Sequence, residues 1–211
     1  MRRLPILLTI LLLTGCSAPT QQYPGSKKEG TFFAAPKSWH AIDMKSLQKY
    51  EKASTNSDVV DRASMVRFEV ALSPNKNLSA ADIFSLRVTD QPIAFLRVRD
   101  IYANEVNSVS YNSLRSVLVP VTRIITQPRN DDPELDLIDD YEVSDKGGRG
   151  VRTIYRVTVD GKSQVIDQQA LISDDRRTLY VFVVRCSNEC YNKNKEVMTK
   201  MADSFSVRGA R

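Results

Sequence analysis

The feature that most constrains this chain is a pair of neighbouring residues, Asp160-Gly161, standing between two runs of alternating apolar and polar residues. In that setting an Asp-Gly pair specifies a two-residue hairpin, because a type I′ turn needs positive φ at both central positions. Upstream, Gly150 to Val159 sets Val151, Thr153, Tyr155, Val157 and Val159 on one face of an extended strand, with Arg152, Arg156 and Thr158 on the other. That period of two predicts a half-buried strand. Downstream, residues 164 to 172 form the return strand, Ser173 to Arg177 a polar turn, and Thr178 to Arg185 a third strand. The third strand is almost continuously apolar, which predicts a central position covered on both faces. Beyond Cys186 and Cys190 the period lengthens to about 3.6. Val197, Met198, Met201 and Phe205 then share an apolar face, so a terminal helix packs back on the sheet.

At the other end, Met1-Arg2-Arg3 precedes an apolar run from Leu4 to Leu13. A basic start and so short a run are a secretory signal; a spanning helix needs about 20 apolar residues. The run ends in Leu13-Thr14-Gly15-Cys16, which resembles the lipobox of bacterial lipoproteins, and that resemblance makes Cys16 the acylated first residue of the mature chain. Ser17 to Gly30 is small and polar, the composition of a flexible tether. The expected organisation is a signal peptide over 1–15, the lipidated cysteine and tether over 16–30, and one domain over 31–211. The expected location is the extracytoplasmic face of the cell membrane. In a source with two membranes the outer membrane is a second destination, since Ser17 is not the Asp-type retention signal.

The chain carries 30 basic and 25 acidic side chains, and removing Arg2 and Arg3 with the signal leaves a net charge of +3. With no basic stripe interleaved with aromatics, nucleic acid is excluded as the expected partner. Once Cys16 is acylated, Cys186 and Cys190 form an even pair in an exported chain, which points to a disulfide. Closing so short a loop is worth only about 2 kcal/mol, so its use is to fix the corner between the third strand and the final helix. A redox-active pair and a metal site are the alternatives; the first usually has two intervening residues, and the second lacks further ligands.

Phe32 to His40 reads as a short aromatic strand, a Pro36 turn and the single tryptophan, Trp39, as a core plug. His40 is the only histidine, so any Ser-His-Asp or Cys-His chemistry would have to use it. Asp43 caps a helix to Lys52 with Met44 and Leu47 inward, and Ser79 caps a helical turn burying Ile83, Phe84 and Leu86. Between them, Val66, Phe68, Val70 and Leu72 share one face of a strand. Pro92 to Ile101 alternates again, with Ala94, Leu96 and Val98 opposed to Phe95, Arg97 and Arg99. Arg97 and Arg99 project from one face, where they hold an acidic partner or a lipid headgroup, or are simply solvated. Ser108 or Ser110 caps a helix ending near Pro120. Gln127 to Asp140 is acidic but lacks the glycine and closing glutamate of a calcium loop, so it reads as a solvated loop. A strand from Leu135 to Val143 follows. No cofactor and no metal site is expected.

The aromatic, proline and tryptophan entry (Phe32, Phe33, Pro36, Trp39), the long middle with helices over a sheet, Gly147 to Arg152, and the terminal Asp203-Ser204-Phe205 together resemble the Mog1/PsbP-like proteins. Among these the chain is most similar to LpqN-type lipoproteins of actinobacterial envelopes. The resemblance spans residues 31 to 207 and implies an α+β fold, an α/β/α sandwich around a curved antiparallel sheet. It also implies a non-catalytic binding or assembly module of the cell envelope, held by its N-terminal lipid and meeting an envelope protein or lipid. A carrier of a lipid or small apolar ligand and a His40-dependent hydrolase are the alternative functions.

Overall fold

The computed structural model describes residues 19–209, so the signal segment and Cys16 lie outside the described residues. Four short strands open the described chain: β1 (Gln21–Gln22), β2 (Gly25–Ser26), β3 (Thr31–Phe32) and β4 (Ala35–Pro36). Next come β5 (His40–Ile42), α1 (Met44–Lys52), α2 (Ser57–Ser64), β6 (Val66–Ser73), α3 (Ala80–Phe84) and β7 (Ile93–Asp100). The second half runs α4 (Tyr111–Arg115), α5 (Val121–Thr126), β8 (Glu134–Asp145), β9 (Gly148–Val159), β10 (Lys162–Ile172), β11 (Thr178–Ser187), α6 (Asn188–Asp203) and β12 (Ser206–Val207). None of the described helices is long and apolar enough to cross a membrane.

The hairpin forms where the Asp-Gly pair places it. Asp160 and Gly161 have φ of 50° and 72°, and Val159 faces Lys162 across the turn. Seven strands make one sheet in the order β5-β6-β7-β11-β10-β9-β8, each pair antiparallel. β11 is fourth of the seven and buried along its whole length, which is why it carries no polar face. On one side of the sheet α6 and the N-terminal strands enclose Phe33, Trp39, Leu96, Phe182, Met198 and Met201. On the other, α1 and α3 cover Ala71, Ile93 and Phe95, while α4 and α5 cover Val151, Tyr155 and Ile166. The two helical layers around an antiparallel sheet are the expected sandwich.

Several local expectations change. The stretch read as tether is already paired structure from Gln21 on: β1 joins β4 and β2 joins β3. The Gln22 amide donates to the carbonyls of Pro36 and Trp39, and buried Glu29 meets Arg67 at 2.7 Å. Gly30 closes this segment at φ 62°, where any side chain would collide with Gly209, so its glycine serves a turn and not flexibility. α2 and α5 are additional helices. α2 has a thin apolar stripe in which only Ala63 is buried, too little to show a period. Pro120 does not end a helix but precedes α5, since a residue without an N–H costs nothing at a helix start. The α6 face is Tyr191, Met198, Met201 and Ala202; Val197 points outward and Phe205 lies past the helix end.

Candidate functional site

The caps that position the helices are those the local chemistry demands. The Asp43, Ser79 and Ser110 side chains accept from the backbone N–H three residues on, satisfying donors that the first helical turn leaves open. α1 to α3 therefore gather over the β6 side of the sheet, and α4 and α5 over β9 and β10. Between the two groups β7 and β11 form the floor of a cleft of about 1030 Å³. Register sets its surface: Phe95 faces Val183, Arg97 faces Val181, Arg99 faces Leu179, and Ile93 faces Arg185. The floor runs about 20 Å from Leu179 to Arg185, at a strand rise of about 3.3 Å per residue. Tyr50, Arg62 and Phe84 stand on one wall and Val117 and Leu118 on the other.

Three arginines on this floor have different surroundings. Arg97 donates from Nε and Nη2 to Glu69 at 3.0 and 2.6 Å and from Nη2 to Glu51 at 2.6 Å, so its acidic partner is internal and its face is not solvated. Its guanidinium lies 5.0 and 5.3 Å from the ring centres of Phe84 and Phe95. Burial pushes the Glu69 carboxyl up, with Arg97 opposing. Arg185 is buried and donates to the carbonyls of Asp82 at 2.5 Å and Arg87 at 2.8 Å and to Gln164 Oε1 at 3.0 Å. It ties down the end of α3 and the Leu86 turn, whose φ of 52° puts a leucine in the left-handed region. No carboxylate among the described residues pairs with Arg185, and burial lowers its pKa to about 10 despite the nearby Asp82. Arg99 donates from Nη1 to the Asp100 carbonyl at 2.9 Å and has Glu105 3.7 Å away.

The other predicted positions lie apart. Cys186 and Cys190 are joined as a disulfide, Cα atoms 5.8 Å apart, linking the end of β11 to the first turn of α6. His40 is exposed on the edge strand β5, is not a wall of the cleft, and makes no side-chain hydrogen bond among the described residues. The acidic stretch is exposed over most of its length, as expected, but its second half is the start of β8 and not a loop, and arginines meet three of its carboxylates: Asp132 pairs with Arg123, Asp136 with Arg156 at 2.8 Å, and Asp140 with Arg115 at 2.8 Å. The Arg123 guanidinium, with the Arg129 N–H, holds the Asp132 carboxyl down at about 2. Among the described residues no group of His, Cys, Asp and Glu is placed to hold a metal ion. Sequence reasoning missed Arg185; the available signal was an arginine closing an otherwise apolar, fully buried strand, which must find internal partners.

No family model and no curated protein matches the sequence. Solved structures do match in shape. PsbP of the cyanobacterium Synechocystis aligns over 92% of this chain and 95% of its own, at 15% identity and a TM-score of 0.52. LpqN of Mycobacterium tuberculosis, a protein involved in cell envelope biogenesis, aligns over 89% of this chain and 90% of its own, at 8% identity and a TM-score of 0.47. The Ran-binding protein Mog1p of Saccharomyces cerevisiae aligns over 90% and 96%, at 8% identity and a TM-score of 0.45. The chain thus has the Mog1/PsbP-like fold, two helical layers about an antiparallel sheet, and the likeness is one of fold.

Proposed function

We propose that this chain is a lipid-anchored binding module on the extracytoplasmic side of the membrane, without chemistry of its own, and that the cleft over β7 and β11 is its binding element. The observation that carries the reading is the cleft: a concavity of about 1030 Å³ with an apolar floor and arginines set into it. Sites for small molecules are built this way, mostly apolar with a few fixed polar groups. The Leu13-Thr14-Gly15-Cys16 segment supports the anchor, and a disulfide suits an oxidising compartment. His40, solitary and exposed, offers no nucleophile or orienting acid to a hydrolase.

A second reading, assembly with an envelope protein, has its own support in β8. This edge strand of 12 residues pairs only with β9 among the described residues and exposes Leu137, Ile138 and Tyr141. An open edge of that kind is where another strand can add.

The anchor is tested by fractionation with an acyl label. The unaltered chain is expected in the membrane fraction carrying the label, and the Cys16→Ser chain unlabelled in the soluble exported fraction. Membrane retention of Cys16→Ser, with no label on either chain, would remove the lipid anchor from the reading.

A further inference from the structure

Not all charges in the cleft are matched. Glu69 and Glu51 occupy Arg97, and backbone carbonyls with Gln164 occupy Arg185. Arg99 differs from both. A guanidinium has five N–H donors, and among the described residues Arg99 uses one, on the Asp100 carbonyl. The Asp100 carboxylate is bonded to Arg67 instead, at 3.3 Å. Glu105, on the loop between β7 and α4, stops 3.7 Å short and has a side chain 44% exposed, whereas that of Arg99 is 19% exposed. A cation this enclosed with so few partners is costly unless something completes its shell. Burial pushes its pKa down, with Glu105 and Tyr102 working the other way.

Space is available at the same point. A side chamber of about 160 Å³ is walled by Arg99, Ser108 and Ser113, and Arg99, Ser113, Val117 and Leu179 also line the main cleft. Away from Arg99 the floor continues as Val181, Val183 and Phe95, each with only 3–8% of its surface open, around the closed Arg97 pair. Arg62, Arg97, Arg99 and Arg185 line the cleft against Glu51, Glu105 and the Glu69 bonded to Arg97, an excess of one positive charge that favours a negative ligand. A peptide laid here would set its backbone N–H and C=O groups on Leu179, Val181 and Val183, whose side chains offer no partners. A hydrocarbon chain has no such need, and each buried methylene contributes about 0.8 kcal/mol.

Resting on the binding reading above, we propose that the cleft takes a single-chain amphiphile with an anionic head, the head on Arg99 and the chain along Val181, Val183 and Phe95. Glu105 is the group the head displaces. The head is a carboxylate or a phosphate, from a free fatty acid or a lysophospholipid; both are the same chemistry to a guanidinium.

The test is calorimetric titration of the full chain carrying Cys16→Ser with three lauroyl probes below their micelle-forming concentrations: laurate, lauroyl-lysophosphatidylglycerol and neutral monolaurin. At least one anionic probe is expected to bind about 10-fold or more tightly than monolaurin. Arg99→Gln should weaken the anionic probes by about 10- to 100-fold while monolaurin stays within about 2-fold. Glu105→Gln should tighten the anionic probes by about 3- to 10-fold, and it keeps Arg99 in place should Arg99→Gln disturb folding. Preference for laurate identifies a free fatty acid as the source, and preference for the lysophospholipid identifies a phosphate headgroup. Monolaurin bound as tightly as both anionic probes, or an anionic preference unchanged in Arg99→Gln, overturns the proposal and leaves a cleft that binds ligands. Failure of all three probes overturns the proposal too, and the binding reading then stands or falls on whether the chain purifies with any ligand.

Discussion

Phe182→Ala is expected to lower the unfolding free energy by about 3–5 kcal/mol. Phe182 lies in β11, the middle strand, with no exposed surface, and its ring centre is 4.5 Å from that of Phe33 and 5.0 Å from that of Phe205. Phe33 comes from the N-terminal strands and Phe205 from beyond α6, so one ring joins three segments far apart in sequence. Removing it costs the transfer energy of the ring and leaves a cavity that cannot close, because each neighbour is fixed by a different element. Urea denaturation followed by circular dichroism measures the change, with the slope against denaturant expected to hold steady. A cost below about 1 kcal/mol would mean that these segments do not share a core.

Arg152→Met should cost a similar amount, about 3–5 kcal/mol, for an electrostatic reason. Arg152 donates from Nε and Nη2 to the two carboxylate oxygens of Asp167 at 2.8 and 2.7 Å, and from Nη1 to Asp203 of α6 at 2.6 Å. The Asp167 side chain is 1% exposed, so losing its partner strands a carboxylate under α6. Burial already pushes the Asp167 carboxyl up, with Arg152 opposing, and the variant loses that opposition. A carboxyl raised in the folded state relative to the unfolded one favours folding below its unfolded value and loses that benefit as pH rises through its folded value. The deficit of Arg152→Met relative to the unaltered chain should therefore shrink as pH falls toward the ordinary carboxylate range. Arg152→Met combined with Asp167→Leu should return to within about 1 kcal/mol of the unaltered chain, since a buried pair is replaceable by apolar groups. Urea midpoints for the single and double variants at neutral and acid pH decide it; a single variant no weaker than the double would contradict the buried pair.

What was readable in the sequence was what adjacent residues settle between themselves. Asp160-Gly161 fixes a turn by backbone preference alone, and Asp43, Ser79 and Ser110 cap helices by reaching an N–H three residues on. The apolar run of β11 announced its central place because any solvated face would interrupt it with polar residues. Where distant segments decide, the reading failed. Arg97 and Arg99 look alike in sequence, two apart on one strand, yet Glu69 from β6 and Glu51 from α1 neutralise one of them and, among the described residues, only the loose Glu105 attends the other. Arg152 falls on the polar side of its strand's period of two, yet α6 covers that side. The cleft left no trace, because it is the gap between two groups of helices and belongs to no single element.

The most direct measurement is a native mass spectrum of the full chain carrying Cys16→Ser, exported by a bacterial host and purified without detergent. The expected spectrum shows the mass of one chain plus a non-covalent ligand that leaves on denaturation, and loss of that ligand when Leu118→Glu places a charge on the half-buried cleft wall. A bare chain in every preparation, including after incubation with a lipid extract of the host envelope, would contradict the cleft as the binding element.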